Sequence, residues 1–207
     1  MAQVKKHEIQ QLIEAAAIDT FLENGYINTK MKQIAAKADI SVGNIYLYFK
    51  SKEHLFYTIL PQSFAENFKD FNNNIFAALI EAFVNNAKNI KDYIPKNECI
   101  DYLIGNRKRL LMLLRYSKGT NYENLKEESN EIVIQKQNEY LLKLNKADNS
   151  IIEKNYKIIK MVLDSIINML LDTLEGEMEI KERMNAIRFA YEYNLYGFKR
   201  LIEECVR

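Results

Sequence analysis

An all-α protein is what this sequence predicts, and three observations predict it. Six Gly and two Pro are all the strong turn formers in 207 residues, far fewer than a sheet-rich fold needs. Apolar residues recur at helical spacing almost throughout, with no sustained alternation of the kind a half-buried strand shows. Asn, Lys, Glu, Ile and Leu dominate, a composition of helices joined by polar loops. At 48% apolar and 28% charged residues, the chain falls in the ordinary globular range.

The elements follow in order. Ile9, Leu12, Ile13, Ala16, Ala17 and Phe21 share one face of a first helix, and Gly25 is placed to stop it. Thr29 is placed to cap a short second helix, KMKQIAAKA, through its hydroxyl. Ser41 is placed to cap VGNIYLYF, and Ser51 to cap KEHLFYTIL, which must stop or bend near Pro61. The third segment is too short to stand alone. Ile34, Ala35, Ala38, Ile40, Ile45, Phe49, Leu55 and Ile59 supply the small core that holds it. Residues 1–60 thus read as a compact three-helix domain with a helix-turn-helix at 29–49. Residues 61–207 read as a larger helical domain, with helices near 62–72, 74–93, 97–117, 120–145, 150–175 and 179–204. Asn72-Asn73-Asn74, Pro95, Gly119, Ala147-Asp148-Asn149 and Gly176 punctuate them.

Several function classes lose support at once. Two distant cysteines form no disulfide framework and suit a reducing compartment. Two histidines are too few for a His-based metal site or triad. No Gly-rich phosphate loop, His-Glu metal motif or activated nucleophile pair is present, so an all-α enzyme is a weak reading and no cofactor or metal is expected. The start, MAQVKKHEIQ, lacks a signal-peptide core, and IIKMVLDSIINMLL is broken by Lys160 and Asp164. A soluble cytoplasmic protein is expected.

The segment TKMKQIAAKADISVGNIYLYFKSKEHLF carries the functional argument. In a helix-turn-helix the second helix enters the DNA major groove, and its first residues reach base edges. Here that helix opens with Ser41, Val42, Gly43 and Asn44, and Asn can pair bidentately with adenine. No charge lies between Asp39 and Lys50. Lys30, Lys32 and Lys37 precede this neutral stretch, and Lys50 and Lys52 follow it, as phosphate-gripping shoulders would. The alternative is three ordinary amphipathic helices with solvated lysines. Residues 1–60 hold seven lysines, no arginine and six acids, a weak electrostatic footprint.

The string Ile34-Ala35, Ala38, Ile40-Ser41, Gly43, Ile45-Tyr46, Tyr48 through Glu53 and Leu55-Phe56 resembles the N-terminal domain of the TetR family of bacterial regulators. Phe21 and Gly25-Tyr26 match as well, so the resemblance covers about residues 8–60. Beyond that it is architectural only. It implies a ligand-responsive DNA-binding regulator, more often a repressor, that works as a homodimer on a roughly palindromic double-stranded operator. Carried over residue by residue, it implies phosphate contacts from Thr29 or Lys30, Tyr48 and Lys52. Lys32 would lie near phosphate or a base. Val42, Gly43 and Asn44 would face base edges, with Ser41 at the helix start, and Tyr46 would meet a base or thymine methyl. Two positions depart from the family pattern. Asp39 stands where Gly is usual in the turn, and Leu47 replaces an often polar residue.

In the second domain, the apolar residues of 158–174 cover about 280° of a helix at 100° per residue. Such a helix must be buried on most sides, within one subunit or between two. The last helix carries one stripe of Met184, Ile187, Tyr191, Leu195, Phe198 and Ile202, and another of Phe189, Tyr193 and Tyr196. This resembles the family's dimer of paired long helices, with Ile159, Leu163, Ile166, Leu170, Phe189, Tyr193 and Tyr196 at the interface. A wholly intramolecular core is the alternative. The resemblance implies an effector pocket between 62 and 145, where Phe68, Phe83, Tyr102, Met112, Tyr116 and Tyr140 suit an apolar or aromatic small molecule. Each suits core packing equally. The basic run 107–118 reads as a solvated face. An architectural DNA-binding protein without a ligand remains a further alternative.

Overall fold

The computed structural model describes residues 2–84, 96–143 and 149–205, with side chains described for 6–78, 96–139, 142, 156–197 and 200. The described residues contain no strand. They form α1 (Ala2–Asn28), α2 (Met31–Lys37), α3 (Val42–Tyr46), α4 (Lys52–Ile59), α5 (Gln62–Val84), α6 (Asn97–Gly105), α7 (Arg107–Leu114), α8 (Leu125–Lys143), α9 (Asn149–Glu175) and α10 (Ile180–Cys205). The chain divides into two compact units, one of Met1–Asn67 with Lys108–Leu125, the other of Phe68–Arg107 with Lys126–Arg207.

The first unit is built on the periodicity of its sequence. Ile13, Ala17 and Phe21 of α1 meet Ile34, Ile45, Leu55 and Phe56, all fully buried. Ala35 and Ala38 are buried as well, and their small side chains let α2 and α3 approach closely. Aromatic edges lock the centre. Phe56 lies 5.3 Å from Phe21 and 4.9 Å from Tyr26, ring centre to ring centre. Residues 108–125 complete this unit. The Lys108 ammonium pairs with Asp19 at 2.6 Å. Arg109 Nε donates to the Ile59 carbonyl at 2.9 Å, while its guanidinium lies 3.9 Å from the Phe64 ring centre. The Tyr122 hydroxyl donates to the Leu60 carbonyl, and the Tyr26 N–H to the Tyr116 carbonyl.

Three expected boundaries move, each because a side chain found a partner. Asn72 and Asn73 lie inside α5 rather than ending a helix: both are buried, and the Asn72 amide donates to Ser129 Oγ at 2.9 Å. That bond outweighs the turn preference of Asn. The expected 97–117 helix is split at Asn106, whose backbone leaves the helical region at φ −104° and ψ 12° while its side-chain amide donates to the Tyr102 carbonyl. The expected 120–145 helix starts only at Leu125. Before it, Ser117 Oγ donates to the Leu113 and Tyr122 carbonyls and stabilises a turn.

In the second unit α9 and α10 pack together, and α10 also touches α6. Their connection is held by Arg183, which is buried. It donates to the carbonyls of Thr173, Leu174, Gly176 and Met178. The Thr173 and Leu174 carbonyls lie in the last turn of α9, where helical partners run out, and those of Gly176 and Met178 lie in the connection beyond, so a cation there is stabilising. No helix among the described residues is long and apolar enough to cross a membrane.

Candidate nucleic-acid interface

The turn between α2 and α3 is shaped by Asp39, whose φ is +52°. This is the left-handed region, which Asp tolerates better than most residues. The turn is closed by the N–H of Ile40 on the Ala35 carbonyl at 3.0 Å. Ser41 then caps α3, its hydroxyl accepting from the Asn44 N–H at 3.2 Å. Helix α3 has five residues, so it depends on this cap and on buried Ile45 and Phe49 beyond it.

The residues left facing outward are those expected to read DNA. Ser41, Val42, Gly43, Asn44 and Tyr46 are all exposed, and Tyr48 is half-buried. A side-chain carbon built on Gly43 would come no closer than 3.8 Å to any neighbour, the Ser41 hydroxyl. No packing inside the chain therefore demands glycine there. Leu47, which stands where an often polar residue was expected, is the most exposed large apolar side chain among the described residues at 76%. It extends the apolar patch of Val42 and Tyr46. Lys30, Lys32 and Lys50 are exposed around this face, whereas Lys37 is paired with Glu23.

Two expected contact residues point elsewhere. Thr29 is 2% exposed, and its hydroxyl donates to the Gly25 carbonyl at 2.7 Å. It therefore neither caps α2 nor reaches the surface. Lys30 takes the cap position, where its N–H donates to the Gln33 side chain at 2.7 Å. Lys52 is also turned inward. Its ammonium donates to the carbonyls of Tyr26 at 2.6 Å, Thr29 at 2.9 Å and Ile27 at 3.3 Å, and burial pushes it below the ordinary lysine range. The Tyr26 and Ile27 carbonyls are free because α1 ends at Asn28, one turn after Gly25, at φ +70° and ψ 167°, kinks it in a conformation open almost only to glycine. Lys52 thus stops α1 as a helix C-terminus prefers, with a cation.

Residues 13–58 match the family model described as "Bacterial regulatory proteins, tetR family". This stretch of the chain is thus similar to the N-terminal domain of that family. The chain is 34% identical over 62 residues to the Fatty acid metabolism regulator protein of Bacillus subtilis, a match covering 30% of this chain and 31% of that one. It is 42% identical over 53 residues to the HTH-type transcriptional regulator RutR of Escherichia coli, covering 26% and 25% respectively. The chain thus spans under a third of the length of the curated relatives it matches. A solved transcriptional regulator from Aquifex aeolicus is 20% identical, with a TM-score of 0.43, covering 89% of this chain and 98% of that one.

Outside residues 13–58, the described pocket candidates divide between the two units. Phe68 is buried in the second unit, where the Tyr102 ring lies 5.3 Å from Phe71. Met112 and Tyr116 belong to the first unit. Met112 is fully buried there. The Phe83 and Tyr140 side chains lie outside the described residues. Of the expected interface, Ile159 and Leu163 are buried inside their own subunit, because they form the inward face of α9. Ile166 and Leu170 are half-buried. Phe189, Tyr193 and Tyr196 are 71%, 64% and 50% exposed. Ile158 and Met161 on α9 are exposed too, ahead of Ser165, Asn168 and Asp172 on the same face.

Proposed function

We propose that the protein is a homodimeric transcriptional regulator that binds a roughly palindromic operator through α3 and releases or engages it when the second unit takes up a small molecule. The observation that carries this reading is the outward face of α3. It is neutral, exposed from Ser41 to Tyr46 apart from Ile45, and flanked by exposed Lys30, Lys32 and Lys50. Neutral polar and apolar groups suit base edges, and cations at the margins suit phosphate. Thr29 and Lys52 support this face from behind. The exposed apolar residues of α9 and α10, Ile158, Met161, Phe189, Tyr193 and Tyr196, fit a second copy of the chain. Ligand and DNA then compete through two states of the dimer.

Operator fragments selected from random DNA test the reading. Three free lysines per subunit give six per dimer, hence a log–log salt slope of about −5. Asn44→Ala should cost about 1–3 kcal/mol of discrimination at one position per half-site. Equal losses on selected and random DNA would remove Asn44 from base reading, and a slope near zero would remove this face from DNA altogether.

A further inference from the structure

The second unit buries amide atoms that have no partners. Gln137 of α8 is 0% exposed, and neither its Oε1 nor its Nε2 is hydrogen-bonded. Asn130, two turns earlier on the same helix, is also 0% exposed. Its Nδ2 donates to Asp164 at 2.7 Å, but its Oδ1 has no partner. The Oδ1 atoms of Asn138 and of Asn73, the latter on α5, are buried and unpaired as well. Positions 130 and 137 differ by about 20° around a helix and by roughly 10 Å along it, so they share one stripe. Asn73 is adjacent in sequence to Asn72, whose amide bonds Ser129, which fixes α5 beside the same end of that stripe.

Buried polar atoms without partners are rare in native proteins because each costs free energy. Asn130 and Gln137 place three of the five on one stripe of α8. We infer that these amides bind an uncharged, hydroxyl-rich small molecule, of the polyol or sugar type. The inference rests on the effector reading above and names its chemistry. Four of the five unpaired atoms are oxygens and need donors, while Gln137 Nε2 needs an acceptor. Hydroxyl groups supply both. An ammonium group supplies no acceptor for Gln137, and an anion would face carbonyl oxygens beside the Asp164 carboxylate. An apolar molecule would leave every one of the five atoms unsatisfied. The site therefore departs from the apolar or aromatic effector expected from the aromatic content.

The test measures thermal stability of the full chain with neutral polyols and monosaccharides, and in parallel with apolar and acidic compounds of similar size. At least one polyol or sugar should raise the melting temperature by several degrees at low millimolar concentration. Gln137→Leu, and Gln137→Met of nearly equal length, should melt higher than the wild type without ligand and lose the response. Either variant melting lower than the wild type while still folded, or a response confined to apolar or acidic compounds, or no response to any polyol, overturns the inference. Operator binding is measured separately. Intact binding with no polyol response sinks this assignment alone, and absent binding with a polyol response sinks the regulator reading alone.

Discussion

The Nζ atom of Lys52 sits 2.6 Å from the carbonyl oxygen of Tyr26 and 4.3 Å from the centre of the Tyr26 ring. One cation thus closes the end of α1 and holds the chain that leads into α2. A lysine in this position serves architecture, whereas its neighbour Lys50 is exposed.

The two lysines should therefore separate in experiment. Lys52→Met should lower unfolding free energy by about 1–2 kcal/mol, from lost charged hydrogen bonds and the ring contact less the relief of desolvation. Lys50→Ala should leave stability within about 0.5 kcal/mol and reduce the salt slope of DNA binding by about 1 per subunit. Urea titrations and salt-dependent anisotropy measure the two. A Lys52 variant of unchanged stability with a reduced slope would return Lys52 to the phosphate contacts.

Gly119 offers a second test of how the first unit is held. Its φ is +85°, and a side-chain carbon there would lie 2.7 Å from Ile27 Cγ1. Gly119→Ala combines strained backbone with a clash and should cost about 2–3 kcal/mol. Gly43→Ala, with no neighbour closer than 3.8 Å, should not destabilise the fold but should weaken operator binding. Destabilisation by Gly43→Ala as large as by Gly119→Ala would show that Gly43 is kept for packing.

The sequence made some of this legible and hid the rest for identifiable reasons. Ile13, Phe21, Ile34, Ile45 and Leu55 were readable as core because periodicity and burial are both local patterns, and each is buried. The outward set from Ser41 to Tyr46 followed from the same phase. What depends on a distant partner was not readable. Nothing in the composition marks residues 108–125 as companions of the N-terminal helices, since their bonds run to single carbonyls such as Ile59 and Leu60. Lys52 reads as one more surface cation until the Tyr26, Ile27 and Thr29 carbonyls around its ammonium are in view. On α9, apolar residues surround most of the helix, so periodicity could not say that Leu163 faces inward while Met161, at 71% exposure, faces out.

Asp39 should limit DNA affinity. It is exposed in the turn that leads directly into α3, whose outward residues include Asn44. Asp39→Asn keeps a residue tolerant of left-handed backbone and removes the charge. Binding to selected and random DNA should tighten alike, by about 0.5–1 kcal/mol per subunit at low salt, and the gain should fade as salt rises. Asp39→Gly should give the same gain with little change in stability. A gain from Gly but not from Asn would trace the effect to backbone geometry instead.

Dimerisation is tested by charge placed on the outward stripe of α10. Tyr193 is 64% exposed in the single chain, so Tyr193→Asp removes little intramolecular packing and the subunit should stay folded. In a dimer the same carboxylate would be buried against apolar surface without a partner, which opposes association. Each α3 carries few charges and should bind weakly alone, whereas two tethered copies make the second contact intramolecular. Splitting the dimer should thus lower operator affinity about 10²–10⁴-fold. Leu163→Asp is the contrasting variant. Leu163 is 0% exposed, so this change should unfold the second unit before it says anything of assembly. Sedimentation, circular dichroism and operator binding of both variants decide the matter. A folded, monomeric Tyr193→Asp protein that binds the full operator as tightly as wild type would refute the bivalent mechanism, and a variant that stays dimeric would place the contact elsewhere than on Phe189, Tyr193 and Tyr196.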